Sequence, residues 1–417
     1  MQTNAREDLI SAYLAYIGDS EAPTTFHRWS CLSILGAWLG RRYFFKHGHF
    51  TVASNLYVML MGGAGSRKST AIKIAASLLR KAGYHNIAAE KSTKEKFLMD
   101  LAGEESSGPE NAKDILEQNL FGSDDAVAEI LVAADEFNIF VGNGNIEFLS
   151  LLGILWDYNG QFSDRKKNSK SLVINDPTVS LLAGNTATGF SLAFPAEAIG
   201  QGIFSRLILV HGEKTSKRIT FPEPPSQDQE KLLVDLFHAV RQVASGNATL
   251  SHEARLLLDK IYKTWGGIED VRFDSYANRR FTHLLKLCLI CSAAALRSSI
   301  EETDVVYANT MLTHAEHMMP KALGEFGKAR NSDVAHKVIQ LLEASILPIS
   351  MKDIWRNVHN DLEDISHLKD LVSNLLLADK VISTKGGFLI KRRTLEEVSN
   401  DTVDFSLLTP EERNYTE

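Results

Sequence analysis

Short apolar runs alternate with segments of helical spacing over the first half of the chain. Residues 5–45, 68–82 and 146–157 have the apolar spacing of helices. The apolar runs are short enough for buried strands, and they cover residues 55–61, 130–134, 179–183 and 207–210. Strands that alternate with helices in this way predict an α/β fold built on a parallel sheet.

The pattern changes after residue 220. A proline-rich segment over 221–230 predicts a domain boundary, and residues 230–325 show helical patterns alone. Residues 332–391 then combine three helical stretches with a strand, a Gly-Gly turn and a second strand, which is typical of a winged helix. The polar, acidic stretch 394–417 is expected to be a flexible tail.

Length and composition limit the class of protein. A chain of 417 residues exceeds one ordinary core, so about two to four domains are expected. The sequence contains no apolar run of membrane-spanning length and no signal-peptide start. Its three cysteines (Cys31, Cys288 and Cys291) lie inside apolar stretches, so reduced core residues are expected. These features predict a cytoplasmic protein without membrane contact. The net charge of −7 neither indicates nor excludes a nucleic-acid partner.

A glycine-rich segment follows the first apolar run and leads into the helix predicted over 68–82. It fits the pattern GxxxxGK[ST], except that Arg67 stands where glycine is usual. Its glycines allow the backbone to surround a phosphate, Lys68 would reach the β- and γ-phosphates, and the Ser69 hydroxyl would bind Mg²⁺. The alternative is a glycine-rich turn with a solvated lysine. The predicted nucleotide ligands are Gly62, Gly63, Ala64, Gly65, Ser66, Arg67, Lys68, Ser69 and Thr70.

An acidic pair follows the apolar run over 130–134. Asp135 would hold Mg²⁺ through water, and Glu136 would polarise the attacking water. A plain acidic loop after a buried strand is the alternative. Together with the glycine-rich segment, the pair predicts an ATPase with ATP and Mg²⁺ as cofactors, because an adjacent Asp-Glu points to hydrolysis.

Two further polar residues lie at the ends of apolar runs. Asn185 ends the run over 179–183 and could orient the lytic water, with Thr186 as the fallback; a strand-end asparagine that caps a turn is the alternative. Arg206 precedes the run over 207–210 and is expected to act as an arginine finger across a subunit boundary, or else to pair with a neighbouring side chain.

The segments GGAGSRKST, LVAADEF, AGNT and GIFSRL, in this order and spacing, resemble the DUF3987 family of P-loop proteins from phages, prophages and plasmids. The resemblance covers roughly residues 25–320, and the Arg-Lys form of the loop is similar to a variant in that family. The order of acidic strand, polar residue and arginine also resembles AAA+ ATPases. This resemblance implies a hexamer with ATP sites between subunits, the arginine in trans, and a location in the bacterial host cytoplasm.

The family pattern also implies a second arginine in a helical lid. Arg279 and Arg280 begin the stretch RRFTHLLKLCLICSAAA, and Arg280 is the predicted phosphate-sensing residue; a solvated helix start is the alternative. The segment 159–177 reads as a hairpin with a basic tip, which in such a ring would project into the central channel and follow phosphates without reading sequence. Phe162 could add base stacking.

The predicted DNA contacts combine this hairpin with the second one near residue 385. A wing can meet the DNA backbone, but the acidic start of the helix over 362–379 would repel phosphate, and winged helices also bind proteins. The alternative for both sets of cations is a solvated surface. The residues are Phe162, Arg165, Lys166, Lys167, Lys170, Lys385, Lys391 and Arg392.

The sequence therefore predicts a P-loop NTPase of AAA+-like α/β fold, acting as a replicative DNA helicase in a homo-oligomeric ring, with replication proteins as possible partners. A helicase loader or initiator that does not translocate and a nucleotide-gated assembly factor are the alternatives. The predicted organisation is an N-terminal helical region (1–50), ATPase core (51–220), helical lid (221–330), winged helix (331–393) and acidic tail (394–417).

Overall fold

A computed structural model gives the fold. It describes residues 8–18, 20–103, 128–164, 172–195, 202–324, 334, 337–339, 341–342, 345, 347–362, 364–377, 381–390 and 401–413. The chain forms two compact units. Unit 1 comprises residues 1–324 together with 401–417, and unit 2 comprises residues 325–400.

The described strands are short, and most belong to unit 1. They are β1 (Tyr43–His47), β2 (Phe50–Ala53), β3 (Tyr57–Met61), β4 (Glu129–Ala134), β5 (Gln161–Asp164), β6 (Leu172–Asn175), β7 (Thr178–Asn185), β8 (Ile208–His211), β9 (Gly246–Asn247), β10 (Thr249–Leu250), β11 (Ser299–Ile300), β12 (Val381–Thr384) and β13 (Gly387–Ile390).

Helices account for most of the remaining described chain. They are α1 (Leu9–Tyr16), α2 (Thr24–Leu39), α3 (Lys68–Lys81), α4 (Lys94–Leu101), α5 (Phe137–Val141), α6 (Ile146–Leu155), α7 (Ala187–Ala193), α8 (Gln227–Val243), α9 (His252–Thr264), α10 (Asp274–Ala277), α11 (Arg280–Ala294), α12 (Glu302–Leu323), α13 (Met351–Val358), α14 (Ile365–Leu377) and α15 (Pro410–Arg413). Short 3₁₀ turns occupy Phe204–Arg206, Val271–Phe273, His359–Asp361 and Phe405–Leu407.

A four-stranded parallel sheet in the order β4-β7-β3-β8 forms the centre of unit 1. Met61 at the end of β3 pairs with Asn185 of β7 on one side and with His211 of β8 on the other. All four strands therefore end at one edge, called here the carboxyl edge, and begin at the opposite amino edge. The predicted α/β class with a parallel sheet core is confirmed.

Helices α2, α3, α11 and α12 pack around this sheet, and the whole length of α2 is buried or nearly so. The long helix α12 packs directly on β8, and α11 packs on both α2 and α12. Residues predicted as a separate lid over 221–330 therefore lie, up to residue 324, inside the same compact unit as the sheet. The predicted boundary at 221 does not separate compact units.

Part of the stretch predicted as helix over 5–45 is a β-hairpin. β1 and β2 pair antiparallel, and Gly48 provides the turn with a φ of +61°. Aromatic residues in YFFKH favour a strand, while apolar spacing alone cannot separate a short strand from the end of a helix. The expected helix-only pattern over 230–325 also differs from the structure, because the short strands β9, β10 and β11 lie within it.

The C-terminal segment 401–413 is part of unit 1, whereas the whole stretch 394–417 was expected to be a flexible tail. The Glu412 carboxylate accepts two hydrogen bonds from the Arg28 guanidinium, at 2.8 and 2.7 Å, and both side chains are buried. The Tyr307 hydroxyl accepts a third bond from Arg28 at 2.8 Å. A buried, bidentate pair fixes this segment on α2, and residues 391–400 lie outside the described residues.

Unit 2 contains a small apolar core contributed by two helices, one strand and the helical residues described between 334 and 342. β12 and β13 form an antiparallel hairpin, and Ile349 adds a two-bond bridge to Phe388. Gly387 has a φ of +138°, and a Cβ there would lie 2.3 Å from the Ile349 oxygen, so the bridge requires glycine.

None of the described helices has the length and apolar character needed to cross a membrane. The cysteines Cys31, Cys288 and Cys291 are free thiols in the core, as their apolar surroundings in the sequence predicted.

Candidate nucleotide site

The glycine-rich loop leaves β3 at the carboxyl edge and enters α3 at Lys68. A Cβ on Gly62 would lie 2.5 Å from the Gly212 oxygen, so this position excludes every other residue. Gly65 has a φ of +79°, which favours glycine. The exposed residues Gly63, Ala64 and Gly65 leave the outer face of the loop open to a ligand.

Arg67 occupies the residue before α3 with a φ of +64°, in the left-handed region. This explains why glycine is usual at the position, since a Cβ there costs roughly 1–2 kcal/mol. The exposed Arg67 guanidinium forms an ion pair with Glu21 across the rim of the loop.

The Lys68 ammonium lies in the concave side of the loop. It donates to the Gly62 oxygen at 2.8 Å, the Gly63 oxygen at 3.1 Å and the Ser66 hydroxyl at 3.2 Å. Burial lowers the pKa of Lys68, while the Glu136 carboxylate opposes that shift by favouring the charged ammonium. The loop therefore presents a positive charge inside a ring of backbone groups.

The acidic pair follows β4 at the same edge. Asp135 is half-exposed and pairs with Lys73 of α3 at 2.7 Å. Glu136 is exposed, and its charge acts on Lys68. A Cβ on Gly184 would lie 2.6 Å from the Asp135 oxygen and 3.4 Å from Cβ of Lys68, so β7 brings the acidic strand and α3 together.

Asn185 lies between the glycine loop and the acidic pair, at the end of β7. Its side chain is buried; Oδ1 accepts a bond from Thr186 N at 2.9 Å, and Nδ2 has no partner among the described residues. The Thr186 hydroxyl instead accepts from Gly189 N at 3.0 Å and caps α7. The geometry favours Asn185 over Thr186 as the group free to contact a ligand.

These residues fit a triphosphate with magnesium. The Ser69 hydroxyl, at the start of α3, and the Asp135 carboxylate are oxygen ligands of the kind that Mg²⁺ prefers. The cation that Asp135 binds in this structure is Lys73, so its carboxylate already faces a positive charge at the mouth of the loop.

A basic cleft of about 90 Å³ continues from Gly65 and Arg67 toward the segment after β8. Lys214, Lys217 and Arg218 contribute positive charge to it, and Glu21 is its acidic member. Such a lining suits an anion, and the cleft extends the site beyond the residues that the motif identified.

The structure places the two predicted arginines away from this edge. Arg280 is buried, pairs with Glu316 at 2.9 Å and donates to Asn309 Oδ1 at 2.7 Å. Its guanidinium also lies over the Trp265 ring, so the predicted phosphate-sensing role does not match these contacts. Arg206 ends the 3₁₀ turn before β8, at the amino edge.

The structure describes the base of the hairpin that was predicted to contact DNA. β5 and β6 pair antiparallel, while Arg165, Lys166, Lys167 and Lys170 lie outside the described residues. Phe162 is half-buried, with its ring 5.6 Å from that of Tyr158. Lys385 is exposed in the turn between β12 and β13, and Lys391 and Arg392 lie outside the described residues.

Arg41 anchors the base of the β5–β6 hairpin to the sheet. Its guanidinium donates to Thr178 Oγ1 at 2.7 Å and Asn159 Oδ1 at 2.9 Å, and also bonds the Tyr158 oxygen. No local motif marks this residue, because its contacts join positions more than 100 residues apart.

No local motif marks the pairing of Asp157 with Arg279 either, because 122 residues separate them. Asp157 follows α6 and lies beside Arg206 at the amino edge, and Arg279 precedes α11 and reaches the same carboxylate. The Arg-Arg dipeptide at 279–280 was the available signal, but nothing local tells which arginine is buried.

Comparison of the sequence with protein-family models and with curated proteins gives no match. The resemblance to the DUF3987 family therefore stays a prediction.

Proposed function

We propose that this protein is a magnesium-dependent ATPase of the P-loop NTPase class, with an AAA+-like core. One observation carries the proposal. The Lys68 ammonium, cradled by its glycine loop, and the Asp135–Glu136 pair lie at the same edge of a parallel sheet, on either side of the strand that ends in Asn185.

Each residue has a chemical task in this proposal. Lys68 and the loop amides bind the β- and γ-phosphates, and Ser69 and Asp135 hold Mg²⁺, which neutralises phosphate charge. Glu136 accepts the proton of the attacking water as general base. Asn185 orients that water through the amide nitrogen that lacks a partner within the described chain.

We further propose that the ATPase is a DNA motor that works as a ring. Gly212 lies beside the glycine loop. Six residues of mostly extended chain, or about 20 Å, separate it from Arg206. Arg206 therefore cannot reach the triphosphate of its own loop, which supports an arginine supplied to another copy. The cations that the sequence places between β5 and β6 are the proposed contact with DNA in the channel.

Unit 2 is proposed to be a winged helix. Two helices, α13 and α14, precede the β12–β13 hairpin, and Ile349 adds the bridge typical of a small third strand. Asp364 accepts from Ser366 N at 2.7 Å and His367 N at 3.1 Å and so starts α14, which gives this acidic residue a structural task.

The biological role that the family resemblance suggests is a replicative helicase of a phage or mobile element, acting in the host cytoplasm. A non-translocating loader or initiator and a nucleotide-gated assembly factor are the competing functions. The cluster of cations between β5 and β6 in the sequence favours the motor, because an assembly factor has no need of such a cluster.

The test is ATP hydrolysis by the purified chain with and without single-stranded DNA, followed by strand displacement and by particle images with an ATP analogue. A motor hydrolyses ATP, is stimulated by DNA and separates strands. A loader shows DNA-stimulated hydrolysis without strand separation, and an assembly factor shows no DNA stimulation.

Two variants test the proposed roles of the general base and of the cations between β5 and β6. Glu136→Gln should bind ATP without turnover, and normal turnover would place the base elsewhere. Replacing Arg165, Lys166 and Lys167 together by alanine should remove DNA stimulation and keep basal hydrolysis. If stimulation survives, the hairpin is not the contact.

A further inference from the structure

Five aromatic residues lie along the surface where the β1–β2 hairpin, α11 and α9 meet. The ring centre of His47 is 6.3 Å from that of Phe45 and 5.9 Å from that of Phe281, and Phe281 is 4.9 Å from Tyr262. Phe50 stands directly opposite His47 in the strand register, so their side chains share one face of the hairpin. We call Phe45, His47, Phe50, Tyr262 and Phe281 the aromatic stripe.

The stripe is open to solvent at both of its ends. Phe50 is 69% exposed beside the hairpin turn, and Tyr262 is 67% exposed on α9. His47 is also exposed, while Phe45 and Phe281 are half-buried and hold the stripe against the body of unit 1. Large aromatic rings that stay in contact with water leave apolar surface that a partner can cover.

The charge around the stripe favours an anionic partner. The sequence contains no Asp or Glu over residues 22–89, although the whole chain has a net charge of −7, and Lys46 is exposed on the hairpin. On α9, the exposed Arg255 lies seven residues before Tyr262 and therefore on the same face of the helix. Asp259 on that face is paired with Lys263 at 2.6 Å, so its charge is balanced.

The stripe also begins beside the base of the hairpin that is proposed to contact DNA. Arg41, two residues before β1, donates to the Tyr158 oxygen. Arg279, two residues before Phe281, donates to the Asp157 carboxylate at 2.9 Å. The start of the β1–β2 hairpin and the start of α11 therefore both contact the chain just before β5.

We infer that the aromatic stripe is a stacking surface for the bases of single-stranded nucleic acid, with Arg255 as a phosphate contact beside it. The inference rests on the proposed DNA contact and deepens it, because it assigns the bases to a surface of described residues. Every base has a ring face, so aromatic rings next to cations bind single strands of any sequence. The bases of a duplex already stack on one another, so the stripe should prefer single strands.

The experiment measures binding of a fluorescein-labelled oligothymidine to the full chain by fluorescence anisotropy, without nucleotide, so the result does not depend on hydrolysis. Phe50→Ala and Tyr262→Ala should each weaken binding about tenfold, because each removes one stacked base, and the double variant about 10²-fold. Both side chains are exposed, so the fold should stay intact, which urea unfolding checks. The matched control is Phe221→Ala, which removes an 87% exposed phenylalanine outside the stripe and should bind as wild type does.

Two further measurements separate base stacking from a general apolar contact. Tyr262→Phe keeps the ring and should keep the affinity, whereas Tyr262→Leu keeps an apolar side chain and should lose as much affinity as Tyr262→Ala. The ring variants should leave the slope of log K against log salt unchanged, because they remove no phosphate contact. Arg255→Ala should reduce that slope by about 1.

Each negative result has its own meaning. A wild-type chain that does not bind the oligothymidine overturns the proposed DNA contact and the stripe with it. A wild type that binds, with a double variant of unchanged affinity or with an unlabelled duplex that competes as well as a single strand, overturns the stripe alone. If the double variant keeps its DNA affinity but loses self-association in sedimentation, the rings form an interface between copies instead.

Discussion

The two edges of the central sheet are built from different kinds of sequence information. At the carboxyl edge, the glycine loop and Lys68 are neighbours in the chain, and so are Asp135 and Glu136. At the amino edge, Asp157, Arg206 and Arg279 come from three distant segments and meet through the packing of α11 on the 3₁₀ turn before β8. Local sequence motifs therefore supply the groups at the carboxyl edge, whereas only the folding of distant segments brings the groups at the amino edge together.

In the proposed function, the carboxyl edge binds the nucleotide and the amino edge takes part in the assembly of copies. The carboxyl edge contains the groups proposed to bind phosphate, and the backbone of one chain holds them together. At the amino edge, Arg206 and Arg279 pair with the Asp157 carboxylate, at the opposite ends of the strands from the glycine loop. In the proposed ring, the amino edge of one copy would face the carboxyl edge of the next.

The largest effect is expected at the carboxyl edge. Lys68→Ala removes the ammonium that lies against the Gly62 and Gly63 oxygens and should abolish ATP binding, with hydrolysis reduced by at least about 10³-fold. Isothermal titration with ATP and a phosphate-release assay measure both. Lys81→Ala, at the exposed end of the same helix, is the matched control and should behave as wild type. Hydrolysis that survives in Lys68→Ala contradicts the site.

The second-largest effect is expected at Asn185, which ends β7 between the glycine loop and the acidic pair. Asn185→Ala should lower kcat about 10²-fold and keep ATP binding, because a donor that orients water is lost while the phosphate ligands stay. Single-turnover hydrolysis separates the two quantities.

Thr186→Ala is the matched control for this step. Its hydroxyl caps α7, so it should lose about 1 kcal/mol of stability and keep kcat. If Thr186→Ala loses turnover and Asn185→Ala does not, the roles are exchanged.

The extent to which the sequence predicted this molecule follows from the same contrast. Apolar runs located the strands of the parallel sheet to within a few residues, and the glycine pattern located the loop. The choice between Arg279 and Arg280 could not be made, since both begin the same helix. Only the partners Glu316 and Asn309, 29 and more residues away, decide that Arg280 is internal. The buried Arg28–Glu412 pair spans 384 residues, so no local pattern could show that the segment around Glu412 belongs to the core.

A smaller effect concerns pH at the amino edge. Lys286 is buried there, donates to the Ala53 oxygen and Asn55 Oδ1, and faces Asp157, Arg41, Arg206 and His283. Burial lowers its pKa to about 7. Above pH 7 the unfolded chain therefore holds a proton that the folded chain releases, and the free energy of unfolding rises with pH by up to about 1.4 kcal/mol per pH unit.

Urea unfolding between pH 7 and 9 measures this slope. Lys286→Met should flatten it, and Lys263→Met, which removes an exposed lysine, should leave it unchanged. A wild-type slope that Lys286→Met retains would mean that Lys286 is not the titrating group.

The smallest effect tests the one departure from the loop pattern. Arg67→Gly relieves a left-handed backbone but loses the exposed pair with Glu21, and it makes the unfolded chain more flexible, so its net effect on stability should be within about 1 kcal/mol of zero. Arg67→Ala loses the same pair and keeps the strain. Arg67→Gly should therefore be more stable than Arg67→Ala by about 1 kcal/mol in urea unfolding, with ATP hydrolysis retained by the glycine variant. Equal stability of the two would show that Arg67 does not hold a left-handed backbone in solution, and loss of hydrolysis in Arg67→Gly would make the guanidinium a nucleotide ligand in its own right.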